Sequence, residues 1–151
     1  MKLINSDNDQ LLFLLAPREK DLLLQVLHLY PRIPQGYQPL SRAAAAREEP
    51  SQHLLDEALT ETRLENKKLL DSILSNPQKL SEREGAWRLA LSPGDLEWIL
   101  QVLNDIRVGS WIELGSPESP LKALNAKTAP QFWAMEMAGT FQMRFLELLD
   151  G

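Results

Sequence analysis

Two stretches of the chain, LLFLLAPREKDLLLQVLHLYPR (11–32) and WRLALSPGDLEWILQVLNDIRV (87–108), align without gaps at an offset of 76 residues. Leu15 falls on Leu91, Pro17 on Pro93, and Leu24-Gln25-Val26-Leu27 on Leu100-Gln101-Val102-Leu103. Glu19 meets Asp95, Asp21 meets Glu97 and Leu23 meets Ile99. The offset is half of the 151-residue length, so it predicts one building unit used twice, at about 1–76 and 77–151.

Each copy opens on an apolar run of strand length, Leu11–Leu15 or Trp87–Leu91. A small residue and a proline follow, Ala16-Pro17 or Ser92-Pro93. Proline suits the first position of a helix, because its missing N–H would have no partner there. Ser92 is placed to cap free amides, while Glu19 and Asp95 put negative charge in the first turn, where the helix dipole favours it. A second long helix is predicted in each half, over 51–74 and over 130–149. The order β-α-α, β-α-α gives a mainly α fold: a helical bundle on a minimal two-stranded sheet, duplicated internally, within a single domain at 1–151.

Composition narrows the function. The chain has no cysteine, which removes disulfides, thiolate metal sites and nucleophilic cysteine chemistry. Twenty-one acidic residues against sixteen basic ones argue against a nucleic-acid partner. The five-residue apolar run at Leu11–Leu15 is too short for a secretory signal or a membrane span, so a soluble, cytoplasmic protein is expected. The seven glycines are scattered, and neither a G-x-S-x-G nor an H-E-x-x-H motif occurs. His53, Glu57 and Glu61 form an i, i+4, i+8 row able to offer metal ligands, yet the solvated face of an amphipathic helix is the commoner explanation of such a row. No cofactor and no metal are expected, and no enzyme chemistry is signalled.

The helix over Pro93–Glu113 is apolar on nearly every side, yet it carries Asn104, Asp105 and Arg107. On so central a helix Arg107 should be at least partly covered, and a covered guanidinium requires partners. The carboxylates of Glu57 and Glu61, one turn apart on the charged helix, are the best candidates at this level. Asn104, Asp105, Arg107, Glu57 and Glu61 then form either a polar lock or a binding site.

LNDIRVGSWIELG (103–115) resembles the pattern Leu-Asn-Asp-x-Arg-x-x-x-Gly-x-x-x-Gly of a bacterial domain-of-unknown-function family, number two thousand and seventeen. Leu103, Asn104, Asp105, Arg107 and Gly115 hold the pattern; Trp111 stands where the family has glycine, which leaves the Asn-Asp-x-Arg core to carry it. The resemblance extends to Glu61 and Arg63 and to the aromatic C-terminal helix, over about 54–149, and implies no activity or cofactor.

The favoured expectation is a non-enzymatic protein that works by protein–protein interaction or self-association. Its basis is the last helix, with Trp133 and the methionines Met135, Met137 and Met143. The alternatives are a ligand-sensing or catalytic pocket around Arg107, and a transcriptional regulator using Arg32, Arg42, Arg47 and Lys67-Lys68.

Overall fold

The structure, a computed structural model, describes residues 1–6, 10–33 and 49–150. Its elements run β1 (Lys2–Ser6), β2 (Leu11–Leu15), α1 (Pro17–Leu27), α2 (Glu49–Ser75), β3 (Leu80–Arg83), β4 (Ala86–Leu91), α3 (Pro93–Glu113), a 3₁₀ turn (Pro120–Ala123) and α4 (Ala129–Asp150). The four strands form one antiparallel sheet in the order β1-β2-β4-β3.

This corrects the expected two-stranded sheet and the mainly α class. The described residues hold a four-stranded sheet with four α-helices, a helix-dominated mixture of α and β, and each half runs β-β-α-α. The two unforeseen strands are the edges. Leu80–Arg83 pairs with β4 across the two-residue turn Glu84-Gly85, where both residues have positive φ. Such turns match the twist of the strands they join and normally carry Asn-Gly or Asp-Gly. With glutamate in the first place, and a strand as polar as LSER, both the turn and the edge are easily missed.

The middle of the sheet follows the period-2 rule. Leu11, Phe13 and Leu15 are buried and alternate with half-covered Leu12 and Leu14, while Leu89 and Leu91 are buried on β4. They meet Leu23, Val26 and Leu27 of α1, Leu70 of α2, Leu96, Ile99, Leu103 and Ile106 of α3, and Ala138, Phe141 and Phe145 of α4 in one core. The Phe145 ring stands edge-on to Phe13, with centroids 5.1 Å apart.

Both helices that follow a central strand begin as their prolines require. In α3, Ser92 Oγ accepts the Asp95 N–H (3.0 Å) and the Asp95 carboxylate accepts the Ser92 N–H (3.2 Å), a reciprocal capping box. Lys79 Nζ reaches the same carboxylate at 3.1 Å, tying β3's approach to the start of α3. In α1, Ala16 has no side chain to contribute, and only the Glu19 carboxylate closes the turn by accepting the Ala16 N–H.

Burial pushes the Asp95 carboxyl upward, but the Ser92 N–H, the Lys79 ammonium and the Ser92 hydroxyl outweigh it and hold the group below the ordinary aspartate value. A carboxyl depressed in the fold contributes stability above its unfolded pKa and loses it as pH falls through the folded value. Asp95→Asn should cost about 1 kcal/mol at neutral pH, as lost caps do. Urea midpoints taken from pH 7 downward should show the variant's deficit shrinking in acid, where the native carboxylate is protonated.

Candidate functional site

The polar residues of α3 point in different directions and do different work. Asp105 Oδ1 accepts the backbone N–H of Arg32 at 2.7 Å and that of Ile33 at 3.3 Å. Four residues on, Gly109 lets that backbone lie against the helix: a Cβ there would stand 2.6 Å from the Arg32 carbonyl oxygen and the Ile33 nitrogen. Another four on, Glu113 accepts the Arg32 guanidinium at 2.9 Å. One i, i+4, i+8 stripe of α3 thus holds the chain after the cis Tyr30–Pro31 bond. Beside it, the buried Tyr30 hydroxyl accepts the Asn66 amide of α2 at 3.2 Å. Burial pushes the Tyr30 phenol above its ordinary value; the Asn66 bond opposes this, and the Asp105 charge adds to it.

Arg107 faces elsewhere, and here the structure overturns the sequence-based expectation. Its side chain is exposed, and its hydrogen bond runs to Asn104 Oδ1 in the same helix at 3.1 Å. Glu57 and Glu61 lie exposed on α2 and are not its partners. A helix apolar all round invites the inference that every polar side chain on it is covered. The aliphatic stem of Arg107 lies beside Gly139 of α4, its Cδ 3.5 Å from where a Cβ would sit, an ordinary van der Waals separation. The stem is packed and the head is left in water.

Arg107 borders a hollow of about 790 Å³ bounded by α1, α3 and α4. Leu22, Val108, Trp111, Met137 and Phe141 give it apolar walls, and Met143 is 62 % exposed at its side. The volume is in the range of small-molecule ligand sites. Its charges are unequally engaged. Glu19 binds the Met1 ammonium at 2.5 Å, and Arg144 is spent on the Met1 carbonyl (2.9 Å) and Glu147 (3.5 Å). Burial raises the Glu19 carboxyl, but the ammonium and the Ala16 N–H bring it below the ordinary value. Arg107 and Glu136 belong to no ion pair among the described residues. Asn104, Arg107 and the hollow therefore form one site, whereas Asp105 belongs to the clasp on Arg32.

Other candidates resolve differently. Trp111 donates its indole N–H to the Pro117 carbonyl at 3.0 Å, and Trp87 carries the Lys20 ammonium 4.2 Å above its ring. Gly115, with φ near 92°, ends α3 as helix-terminating glycines do. No group of three metal-ligating side chains occurs among the described residues, and the His53 side chain lies outside them. Of the basic residues considered for a regulator, Arg32 is paired with Glu113 and Lys67 with Asp71, while Arg42 and Arg47 lie outside the described residues. No helix of the described residues is long and apolar enough to cross a membrane.

The hollow's floor and the clasp were not visible in the sequence. Gly109 was the available signal for the clasp, since glycine inside a helix often marks a close approach of backbone. Gly109→Ala should cost about 1–3 kcal/mol, as overpacking does, while Gly94→Ala, with only Ser92 Oγ nearby at 3.9 Å, should not destabilise. Arg107→Ala should change stability by no more than about 0.5 kcal/mol, the usual range for exposed positions. Denaturant midpoints of the three variants test all of this.

No protein family, no curated protein and no solved structure matches the chain.

Proposed function

We propose that the protein is a non-enzymatic binding protein whose working surface is the hollow between α1, α3 and α4, and that its ligand is another polypeptide. The observation that carries this reading is the composition of that surface. Met137, Met143, Trp111 and Phe141 surround an apolar space of about 790 Å³, with an exposed guanidinium at its edge. Aromatic and methionine side chains gather at protein interfaces, and methionine adapts its shape to what it meets. Leu146 and Leu149 extend the exposed apolar surface along α4.

The site lacks the parts of a catalytic centre. Its one histidine-free charge set consists of Glu19, Glu136, Glu147, Arg107 and Arg144, and the carboxylate held most tightly, Glu19, is engaged with the Met1 ammonium. The hydroxyl that lines the hollow, that of Thr140, donates to the Glu136 backbone carbonyl at 2.8 Å. A small-molecule reading draws on one specific feature, the remaining donors of Arg107, which would hold a carboxylate. The exposure of Met143 and Leu146 favours the larger, polypeptide ligand, because a small molecule would leave them uncovered.

A photoreactive residue placed at Met143 and activated in the native host tests the proposal. A covalent adduct to a polypeptide is expected from Met143, and none from the same group at exposed Glu118, which lies outside the hollow. Absence of any polypeptide adduct at Met143 overturns the reading.

A further inference from the structure

We infer that the outer face of the sheet, turned away from the core, is a second docking surface, and that its partner is an acidic amphipathic helix of another protein. The inner face is the covered one. Leu11, Phe13, Leu15, Leu89 and Leu91 join side chains of all four helices in the core, with Leu3, Leu80 and Trp87 packed against it. Side chains alternate along a strand, so the residues between these face the other way. The register sets them in rows. Lys2, Leu14, Arg88 and Ser81 lie side by side across the four strands. Leu12 and Ala90 form the next row on one side, and Ala86 and Arg83 the next on the other. Ile4, two residues along from Lys2, is 44 % exposed at the edge. None of these apolar residues belongs to the core.

The charge in these rows has one sign. Lys2, Arg83 and Arg88 occupy them with no carboxylate between, on a chain whose net charge is -5. None of the three is in an ion pair among the described residues. Basic side chains on edge strands guard a sheet against pairing with foreign strands, which accounts for Lys2 and Arg83. It does not account for Arg88, whose strand is inner and already paired on both sides. Arg88 is half-covered, and its Nε is buried without an acceptor, a costly arrangement that an incoming carboxylate relieves. Ile4, Leu12 and Leu14 interleave with the cations, so the partner must offer apolar side chains as well as carboxylates. A helix laid on an open sheet face does both, with an apolar stripe flanked by acids. Long polyanions fit less well. The rows hold no aromatic ring on which bases could stack, and an anionic bilayer reaches past the face to the acidic remainder of the chain. A short acidic segment meets only the local field, which salt confines to about 10 Å.

A photoreactive residue in place of Ser81, in the same row as Arg88, tests the inference in the full chain when activated in the native host. The cross-linked segment should be net acidic, with apolar residues at helical spacing. Lys2→Glu combined with Arg83→Glu should lower its yield by at least about tenfold, as reversed interface charges do. Arg83→Lys, which keeps the charge, should retain most of it. Lys2 and Arg83 are both exposed, so circular dichroism should show these variants folded. Arg88→Gln, which removes the inner charge without reversing it, should lower the yield as well. The outcome is independent of what couples at Met143, which lines the hollow. A Ser81 group that gives no polypeptide adduct overturns the inference, as does a neutral or basic segment, or an adduct indifferent to the charge reversals. Coupling to phospholipid or to nucleic acid instead assigns the face to that ligand and overturns it equally.

Discussion

The ladder between β2 and β4, running from Leu11↔Leu91 to Leu15↔Trp87, is where the two halves of the chain become one body. Each half supplies a two-stranded ribbon, and an isolated ribbon of this size is marginal in water. Joined along their inner strands, the ribbons make a four-stranded sheet with a face worth burying. At the centre of the ladder Phe13 pairs with Leu89, and 89 − 13 is 76, the offset at which the sequence repeats. Equivalent residues of the two halves therefore face each other across a local two-fold relation. Phe145 of α4 packs edge-on against that centre, so the last helix is anchored at the joint of the sheet. Burying a phenylalanine of this kind contributes on the order of 2–3 kcal/mol, which makes the junction an energetic as well as a topological centre.

Around that joint, α3 separates structural from available polarity. Asp105 accepts two backbone amides and Glu113 accepts a guanidinium, so both carboxylates are consumed in holding residues 32 and 33. Without Asp105 the Arg32 amide would lose a charge-assisted bond in a partly buried place, which is costly. Arg107 lies half a helical turn away and has no such duty. Its stem lies beside Gly139 of α4 and its head stands at the hollow. The same helix therefore closes the fold with one set of side chains and offers a surface with another.

How much of this could be read from the residues depends on whether the cause is local. The capped start of α3 was legible, because Ser92, Pro93 and Asp95 act on one another within a single turn. The inner strands were legible too, since Leu11–Leu15 is apolar enough for its length to speak. The outer strands were not. Edge strands bury little, so LSER and KLINS carry no apolar alternation, and their identity is settled by the neighbour they pair with. The polar set on α3 was recognised as a group, but its division was hidden. Whether Arg107 is covered depends on how α4 is seated along α3, a matter of tertiary packing that no residue near Arg107 signals. The clasp depends on Gly109 meeting a segment that precedes it by more than seventy residues. Contacts of that kind leave a glycine in the sequence and no sign of what it admits.

The two halves share an order of elements but do not use their helices alike, and that inequality shapes the surface. Helix α3 packs along α4, burying Ala134, Ala138, Phe141 and Phe145. Their counterparts α1 and α2 do not form such a pair: α1 packs on α3, α4 and the sheet, while α2 enters the core through Leu70 near its C-terminal end. The pairing that α3 and α4 satisfy within the chain is thus left open in the first half. In the described residues Leu54, Leu55, Leu59, Leu64 and Leu69 of α2 are left exposed, and a hollow stands where α1 meets α3 and α4. A chain built twice on one plan reaches unequal faces in this way, since apolar area not buried within the fold still favours removal from water.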